Sequence, residues 1–387
     1  MKILQVTFNL SSGGGERFVV DLSNELSRSE DVILVQIQSN DDPHNAHYLS
    51  ELNSRVKYIN LGFKEGASWG VMKAIYRTIK AERPDVVNAH CTLLPLAMAA
   101  VLLKKPLYFH TLHSLAERCL GTAYLKPLYK YLYKNKVKAI NISDICNESY
   151  ERLYNLHNAI VINNGRSPVI PSNLLEDVKR EVEGLKLHED DNVFIHVGRF
   201  HPVKNHKLLL ETFKRLIEEG EHVVLLVVGN GFEGHEEYNN DFCNGIYFIG
   251  EKKNVGDYLI CSDCFVMSSL KEGLPISLLE AMSVGLIPVS TPAGGVCDVI
   301  VNYENGYLSK SHDMADFYEA VKDSIGNVAN ITKERIINDY NEKYSMKACS
   351  EHYRELYHAG KTHVVAMSGG GYKYPVVFEF QTYGLCA

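Results

Sequence analysis

Short apolar runs alternate with longer amphipathic segments along the first 165 residues of this 387-residue chain. Runs such as DVILVQIQ (31–38) are rich in Val, Ile and Leu, whereas segments such as WGVMKAIYRTIKAE (69–82) repeat apolar residues at helical spacing. This alternation predicts buried parallel strands that are covered by helices on both faces. We therefore expect one doubly wound, Rossmann-like α/β domain over residues 1–165.

A second alternating series follows the turn-forming stretch NNGRSPVIPS (163–172). It begins with VFIHVGRF (193–200) and the helical pattern HKLLLETFKRLIEEG (206–220), and it predicts a second Rossmann-like domain over residues 166–339. The residues between Met314 and His358 are predicted to be helical, and we expect 340–358 to pack back on the first domain. The segment 361–387 is expected to be a tail, and its sequence suggests no role.

Open α/β sheets bind their ligands beyond the carboxyl ends of the strands. Two doubly wound domains should therefore face each other across a central cleft, with the functional residues placed just after strands.

Composition and charge narrow the function classes. With 45% hydrophobic and 22% charged residues, each half can bury a full core. The net charge of −7 and the lack of any nucleic-acid motif argue against a nucleic-acid partner. Residues 1–165 carry 19 Lys and Arg against 15 Asp and Glu, whereas the remainder carries 21 against 32. This asymmetry suggests that one half faces an anionic partner.

No segment contains the long apolar stretch of a membrane helix, and the first ten residues are too short and polar-flanked for a signal peptide. We therefore expect a cytoplasmic protein. Nine cysteines are then expected to be reduced thiols, and the pair Cys261-x-x-Cys264 to serve core packing, since no second pair accompanies it.

Two carboxylates in SLKEGLPISLLEAMSVG (269–285) are the most informative candidates. Pro275 favours a helix start, which places Glu272 on the preceding loop and Glu280 within the helix. The first turn of a helix offers unpaired N–H groups and a positive dipole end to a phosphate. The combination points to a sugar nucleotide, although a helical Glu is more commonly a solvated surface residue.

Basic residues follow the first strand of the second domain. Gly198, Arg199 and Lys204 stand in GRFHPVK, where Arg and Lys could stabilise the charge that develops on a departing diphosphate. The alternative is a solvated surface pair. Gly229 follows the next strand, where it either lets an anion approach the backbone or makes a plain turn.

The first domain offers a glycine-rich loop and a histidine. Gly13, Gly14 and Gly15 follow the first strand and are expected to open a helix at Glu16, a suitable place for an anion or simply a tight turn. They are not a nicotinamide fingerprint, because Phe18 occupies the third glycine position. His113, in FHTLHS, follows a strand and is expected to face the cleft, but it could be structural, and His110 is an equally good candidate from the text alone.

The order of these motifs, together with VINNG at the domain junction, VVGNG, IYFIG and S-S-x-x-E-G-x-P, resembles the retaining glycosyltransferases of family 4, also described as glycosyl transferases group 1. The resemblance covers about residues 1–358 and is strongest between Val193 and Leu308. It implies the GT-B fold, in which two Rossmann-like domains face a central cleft.

The resemblance also implies roles for individual residues. Arg199 and Lys204 would hold the donor diphosphate, and Glu280 would bind the nucleotide ribose. Glu272 would position the transferred sugar without acting as a covalent nucleophile, and His113 matches the cleft histidine of the family. The implied donor-binding positions that remain are Gly13, Gly14, Gly15, Gly198, Gly229, Gly273, Ile276, Ser277 and Leu278. The loop over Gly13–Gly15 would reach the phosphates when the domains close.

Neither a metal nor another cofactor is expected, because in the family arginine, lysine and a helix terminus replace the divalent ion, and no Asp-x-Asp motif stands on a cleft-facing loop. The nucleotide sugar would be the substrate, and the acceptor a glycan or a lipid-linked molecule, plausible for surface polysaccharide assembly. Two alternatives remain open from the sequence: a nucleotide-sugar epimerase of GT-B type, and a donor-binding protein without turnover.

The segment YLKPLYKYLYKNKVK (124–138) interleaves lysines with tyrosines and leucines. Such a pattern suits the headgroup layer of an anionic membrane, at the inner face of which the protein could act. The alternative is an ordinary surface helix whose tyrosines pack inward.

Overall fold

The computed structural model describes residues 1–64, 68–90, 93–232, 234–235, 238–239, 242–326 and 331–360. The described residues divide into two compact units, one formed by Met1–Gly165 together with residues 346–360, and the other by Arg166–Ser345. The predicted tail, 361–387, lies outside the described residues.

The first unit is built on a seven-stranded sheet in which every pairing is parallel. The order β3-β2-β1-β4-β5-β6-β7 is that of a doubly wound sheet, with its switch point between β1 and β4. The strands are β1 (Lys2–Thr7), β2 (Asp31–Gln38), β3 (Lys57–Phe63), β4 (Val86–Ala89), β5 (Leu107–Leu112), β6 (Lys138–Asn141) and β7 (Ile160–Val161).

Helices cover both faces of this sheet. They are α1 (Gly14–Leu26), α2 (Trp69–Glu82), α3 (Leu94–Leu102), α4 (Ala116–Leu120), α5 (Lys126–Asn135), α6 (Asp144–Tyr154) and, from the end of the chain, α13 (Met346–Ala359). Successive side chains of a strand point to opposite faces, so Ile3 enters the core beneath α1 and α13 while Leu4 enters the core beneath α2 and α3. Both faces are therefore apolar, as the near-continuous hydrophobic runs predict.

The second unit contains a six-stranded parallel sheet in the order β10-β9-β8-β11-β12-β13. Its strands are β8 (Asn192–Val197), β9 (Val223–Val228), β10 (Ile246–Gly250), β11 (Cys264–Met267), β12 (Ile287–Ser290) and β13 (Tyr307–Leu308). Its helices are α7 (Leu175–Leu185), α8 (His206–Glu218), α9 (Val255–Ile260), α10 (Ile276–Ser283), α11 (Met314–Gly326) and α12 (Lys333–Asp339). The switch point lies between β8 and β11.

The boundary at the end of the second unit differs from the sequence prediction. The expectation that 340–358 packs on the first domain is wrong for Tyr340–Ser345, which belong to the second unit; α13 belongs to the first, where it packs against α1. Tyr340 and Tyr344 are buried in the second unit's core, and the Tyr340 hydroxyl donates to the Arg166 carbonyl at 2.5 Å. Helices α11 and α12 likewise belong to the second unit, so only the last of the predicted helices returns.

Within the described residues, no helix combines the length and the apolar character needed to cross a membrane.

Candidate functional site

Lys204 is held at the carboxyl end of β8 by a short 3₁₀ turn over Pro202–Lys204. The turn is fastened to the segment that follows β11, because the Ser268 hydroxyl lies 2.9 Å from the Lys204 carbonyl and the Leu270 N–H donates to the Val203 carbonyl at 2.8 Å. The loops after two neighbouring strands are thereby joined, and the lysine is held at the switch point of the sheet.

Glu272 follows β11 and is fixed by the loop after β12. Its N–H donates to the Ala293 carbonyl at 3.2 Å, and the Gly295 N–H donates to the Glu272 carbonyl at 3.3 Å. Together they form an isolated bridge between Glu272 and Gly294. The backbone of Glu272 is therefore as well supported as a strand residue, although the residue stands in a loop as predicted.

The two side chains meet. Lys204 Nζ lies 2.9 Å from Glu272 Oε1, with the side chains 19% and 16% exposed. The contact is an ion pair without aligned hydrogen-bond geometry, since Glu272 Oε1 is buried with no hydrogen-bond partner among the described residues. A lysine and a carboxylate thus stand together at the point where parallel sheets bind ligands.

Two predicted glycines line the same end of the sheet. A Cβ at Gly229 would lie 2.0 Å from the Gly198 carbonyl oxygen, so neither side chain nor even a methyl group fits there. A Cβ at Gly198 would lie 3.4 Å from Lys204 Cε. The glycines allow close backbone packing beside Lys204. Arg199 is exposed next to them, free to move toward a ligand without leaving a core.

Helix α10 begins where the sequence predicts, with Pro275 as its N-cap and no side chain capping the first turn. Of the three predicted N–H donors, Leu278 already donates to the Pro275 carbonyl at 3.2 Å. Gly273 belongs to the loop leading to this turn, and Ile276 and Ser277 begin the helix.

Glu280, on α10, is paired with a residue that the sequence analysis missed. Arg166 Nε donates to Glu280 Oε1 at 2.9 Å, with the side chains 10% and 20% exposed. The Arg166 backbone is itself fixed, because its N–H donates to the Tyr344 carbonyl at 2.9 Å. The only sequence signal was an arginine directly after the NNG turn, and nothing in the spacing linked it to Glu280.

In the first unit, the glycine-rich loop leads into α1, which begins at Gly14 with Gly13 as its N-cap, earlier than the predicted start at Glu16. A Cβ at Gly15 would lie 3.5 Å from His113 Cγ. The predicted loop and the predicted histidine are therefore neighbours, and Phe18 packs edge-on against the same imidazole at a centroid distance of 5.1 Å.

His113 also contacts a second histidine that the sequence analysis did not select. His90 directly follows β4, and its Nδ1 lies 3.0 Å from His113 Nε2. Burial and the nearby His110 lower the pKa of His113 to about 3, so this imidazole is neutral at pH 7. His110, the alternative candidate, is fully buried with its Nδ1 2.7 Å from the Tyr133 hydroxyl.

The lysine- and tyrosine-rich segment 124–138 has both buried and exposed side chains. Tyr129, Leu132 and Tyr133 of α5 are buried, as the inward-packing alternative required. Tyr124 and Tyr131 are 82% and 50% exposed. Lys138 begins β6 and is not part of the helix.

Among the residues that the structure describes, no three His, Cys, Asp or Glu side chains converge as metal ligands would.

Comparisons with known proteins agree with this architecture. The family described as Glycosyl transferases group 1 matches residues 177–341, and the family described as Glycosyltransferase Family 4 matches residues 12–168. The two parallel α/β domains have the GT-B fold, and the two family matches together identify a glycosyltransferase. The chain belongs to the group 1 glycosyltransferases.

Two curated relatives cover most of the chain. The UDP-Gal:alpha-D-GlcNAc-diphosphoundecaprenol alpha-1,3-galactosyltransferase of Escherichia coli is 27% identical over 300 residues, which are 69% of this chain and 74% of the relative. The putative glycosyltransferase EpsF of Bacillus subtilis is 25% identical over 307 residues, 74% of this chain and 77% of the relative. Both relatives are named as transferases, and the epimerase alternative is not favoured.

Solved structures show the same fold. The crystal structure of Anabaena HepE in complex with UDP aligns with a TM-score of 0.75 at 16% identity, covering 93% of this chain and all of the other. The same protein with UDP-glucose aligns with a TM-score of 0.71 over 93% of this chain.

Proposed function

We propose that this glycosyltransferase moves a sugar from a uridine diphosphate donor to a glycan or lipid-linked acceptor with retention of the anomeric configuration, in the assembly of a surface polysaccharide. The bond between the anomeric carbon and the diphosphate breaks, and a bond to an acceptor oxygen forms on the same face. The diphosphate leaves with the bonding electron pair and takes the acceptor proton.

The observation that carries this proposal is the ion pair between Lys204 and Glu272 beside the switch point of the second sheet. A lysine held there can stabilise the negative charge that grows on a departing diphosphate. The carboxylate next to it can accept hydrogen bonds from sugar hydroxyls. Lys204 is thus suited to bind the leaving diphosphate, and Glu272 is suited to bind the sugar.

Arg199 and the first turn of α10 supply further positive charge for the phosphates, which supports transfer without a bound metal. Glu280 would accept a hydrogen bond from the ribose. The assignment of UDP is supported by the E. coli relative, which is named for UDP-Gal, and by HepE, which was crystallised with UDP and UDP-glucose.

The test is to incubate the protein with UDP-galactose, UDP-glucose or GDP-mannose, with and without a GlcNAc-diphospho-lipid, and to measure free nucleoside diphosphate. Release that requires the acceptor supports transfer. Sugar isomerisation without release, or no reaction with any donor, would refute it.

Two further experiments test the retention of configuration and the independence of a metal ion. NMR of the product should show an α-linkage from an α-donor, and a β-linkage would overturn retention. Dialysis against EDTA should leave the rate within about twofold of its original value. A rate that collapses with EDTA and returns with Mg²⁺ or Mn²⁺ would end the metal-independent part of the proposal.

We also propose that α5 contacts an anionic membrane surface, where a lipid-linked acceptor would be found. Tyr124, just before α5, and Leu128 and Tyr131 within it are exposed, as are Lys126 and Lys134, and Lys130 is half-buried. Aromatic rings at headgroup depth and lysines that reach anionic phosphates are the features of an interfacial helix. The cytoplasmic location stays a prediction.

Vesicle flotation tests this contact. The wild-type protein should float with vesicles that contain phosphatidylglycerol and not with pure phosphatidylcholine. A variant with Lys126, Lys130 and Lys134 changed to Gln should lose most of this binding, since each lysine contributes about 1 kcal/mol near such a surface. The matched control changes the exposed Lys179, Lys207 and Lys214 of the second unit. Equal flotation of both triple variants would rule the surface out.

A further inference from the structure

Three polar side chains of the first unit form a continuous row: Gln5, His90 and His113. Gln5 Oε1 lies 2.7 Å from His90 Nε2, and His90 Nδ1 lies 3.0 Å from His113 Nε2. The sheet puts them in line, because Gln5 stands in β1 opposite Asn88 of the neighbouring β4, and the two histidines follow the adjacent strands β4 and β5. No sequence spacing predicts this row.

The hydrogen bonds of this row all run in one direction, from donor to acceptor. A carbonyl oxygen can only accept, so His90 Nε2 carries the hydrogen that is donated to Gln5. A neutral imidazole has one N–H, which leaves His90 Nδ1 as an acceptor. His113 Nε2 must then be the donor, and His113 Nδ1 keeps the free lone pair.

A neighbouring amide is consistent with this direction. Asn88 Nδ2 lies 3.0 Å from Thr111 Oγ1 and 2.9 Å from the Tyr357 hydroxyl, and these oxygens can accept both of its hydrogens. Its contact with His90 Nε2 is longer, at 3.1 Å. The short contact of His90 is therefore the one with Gln5. The opposite orientation of the Gln5 amide would reverse every bond in the row, which makes the direction measurable.

Both histidines are neutral, as the direction requires. Burial lowers the pKa of His90 well below its usual range, with His113 and His110 as further causes. Burial also lowers the pKa of His113. Neither imidazole therefore carries two hydrogens near pH 7.

His113 Nδ1 is buried and has no hydrogen-bond partner within the described part of the chain. One side of the ring lies against the start of α1, where Gly15 has no Cβ, and Phe18 packs against it edge-on. The ring is thus held in place while one nitrogen remains unsatisfied. A buried polar atom without a partner is costly unless a ligand completes it.

We propose that Gln5 and His90 are positioning residues that hold His113 in the tautomer with hydrogen on Nε2, so that Nδ1 accepts a hydrogen bond from a sugar hydroxyl. The hydroxyl partner rests on the proposed function, whereas the tautomer does not. The consequence is that His113 acts as an acceptor in binding and has no proton to give to a leaving group.

The tautomer is tested without substrate, by long-range ¹H–¹⁵N correlation spectra of protein labelled at histidine. The His113 signals are assigned by their loss in His113→Asn. We expect Nδ1 to resonate as an unprotonated nitrogen and Nε2 as a protonated one. The reverse pattern, or an average of the two, would overturn the proposal.

Two variants at His90 test the positioning role. His90→Leu removes the acceptor and should give a mixed His113 tautomer, with kcat/KM about fivefold to tenfold lower, the effect of one hydrogen bond. His90→Asn offers an amide oxygen in place of Nδ1 and should restore both the tautomer and most of the rate. If His90→Leu keeps the wild-type tautomer, or if His90→Asn is no better than His90→Leu at equal melting temperature, the proposal fails.

The hydroxyl contact is tested separately, with deoxy analogues of the nucleotide sugar that the wild-type protein uses. For one analogue, the loss of kcat/KM in wild type should largely disappear in His113→Asn. Equal losses in both proteins for every hydroxyl would remove the contact, while the tautomer spectrum would stand. A wild-type protein that transfers no sugar would refute the proposed function and the hydroxyl partner, and the spectrum would again be judged alone.

Discussion

Lys204 Nζ and Glu272 Oε1 lie 2.9 Å apart, although their residues belong to loops that follow different strands. Both loops are fixed by backbone hydrogen bonds to their neighbours, so the pair is held by the sheet and not by the flexible side chains alone. In the absence of a ligand the carboxylate balances the lysine charge. In the proposed reaction, a diphosphate that reached Lys204 would compete for that charge and leave Glu272 available to sugar hydroxyls.

Loss of either member should reduce turnover strongly. For Lys204→Ala and Glu272→Gln we expect kcat to fall by about 10²–10³-fold, because each removes a charge that meets the developing transition state. The measurement is the initial rate of nucleotide release with acceptor at saturation. Lys207→Ala, an exposed lysine one residue into α8, is the control and should keep the wild-type rate. A rate near wild type for both site variants would remove the proposed site.

Arg166 should act through Glu280. In Arg166→Gln the carboxylate loses the charged hydrogen bond that orients it, and we expect the KM for the donor to rise about tenfold or more while kcat changes little. Combining the change with Glu280→Gln should add little further loss, since the two residues act as one unit. Arg180→Gln, at a highly exposed arginine of α7, serves as the control. Additive losses in the double variant would contradict the coupling.

Gly229 should tolerate no side chain. The Cβ of Gly229→Ala would lie 2.0 Å from the Gly198 carbonyl, so the strand ends must separate, and we expect a loss of about 3 kcal/mol in the free energy of unfolding. Gly184→Ala is the matched control in the same unit, because it has open space within a helix and should gain roughly 0.5–1 kcal/mol. Denaturant unfolding measures both. Equal stability of the two variants would contradict the close packing of Gly198 and Gly229.

Stability should fall in acid because buried histidines are neutral. The pKa of His113 and that of His196 are each lowered to about 3 by burial, below an unfolded value of ~6.5. As the pH falls below that unfolded value, the unfolded chain binds protons that the folded chain does not. The stabilising contribution is complete above pH ~6.5 and is lost progressively toward pH 3.

We expect each such histidine to contribute a slope of about 1.4 kcal/mol per pH unit to the free energy of unfolding between pH 6 and 4. Denaturant unfolding across this range should show a smaller slope for His113→Asn than for wild type. His44→Gln, at an exposed histidine, should leave the slope unchanged. Equal stability of the wild type at pH 7 and pH 5 would contradict the prediction.

The sequence alone determined the local elements and the fold class. The alternating apolar runs predicted two parallel α/β domains, and Pro275 predicted where α10 begins, because strand burial and helix starts depend on neighbouring residues. Motif order also predicted the family. The point at which the chain passes back from the second unit to the first was predicted less well. This boundary, near Ser345, depends on the burial of Tyr340 and Tyr344 in the core of the second unit.

The tertiary structure decided which of the candidate side chains meet. Arg166 and Glu280 are 114 residues apart, and the contact between Gln5 and His90 spans 85. Such pairs depend on strand order and register, which place the ends of β1, β4 and β5 side by side, and β8 beside β11. The spacing of apolar residues in the sequence shows whether a segment is a strand or a helix, but it does not show which strands are neighbours in the sheet. For this reason candidate residues after each strand could be selected from the sequence, whereas the contacts of Arg166 with Glu280 and of Gln5 with His90 could not.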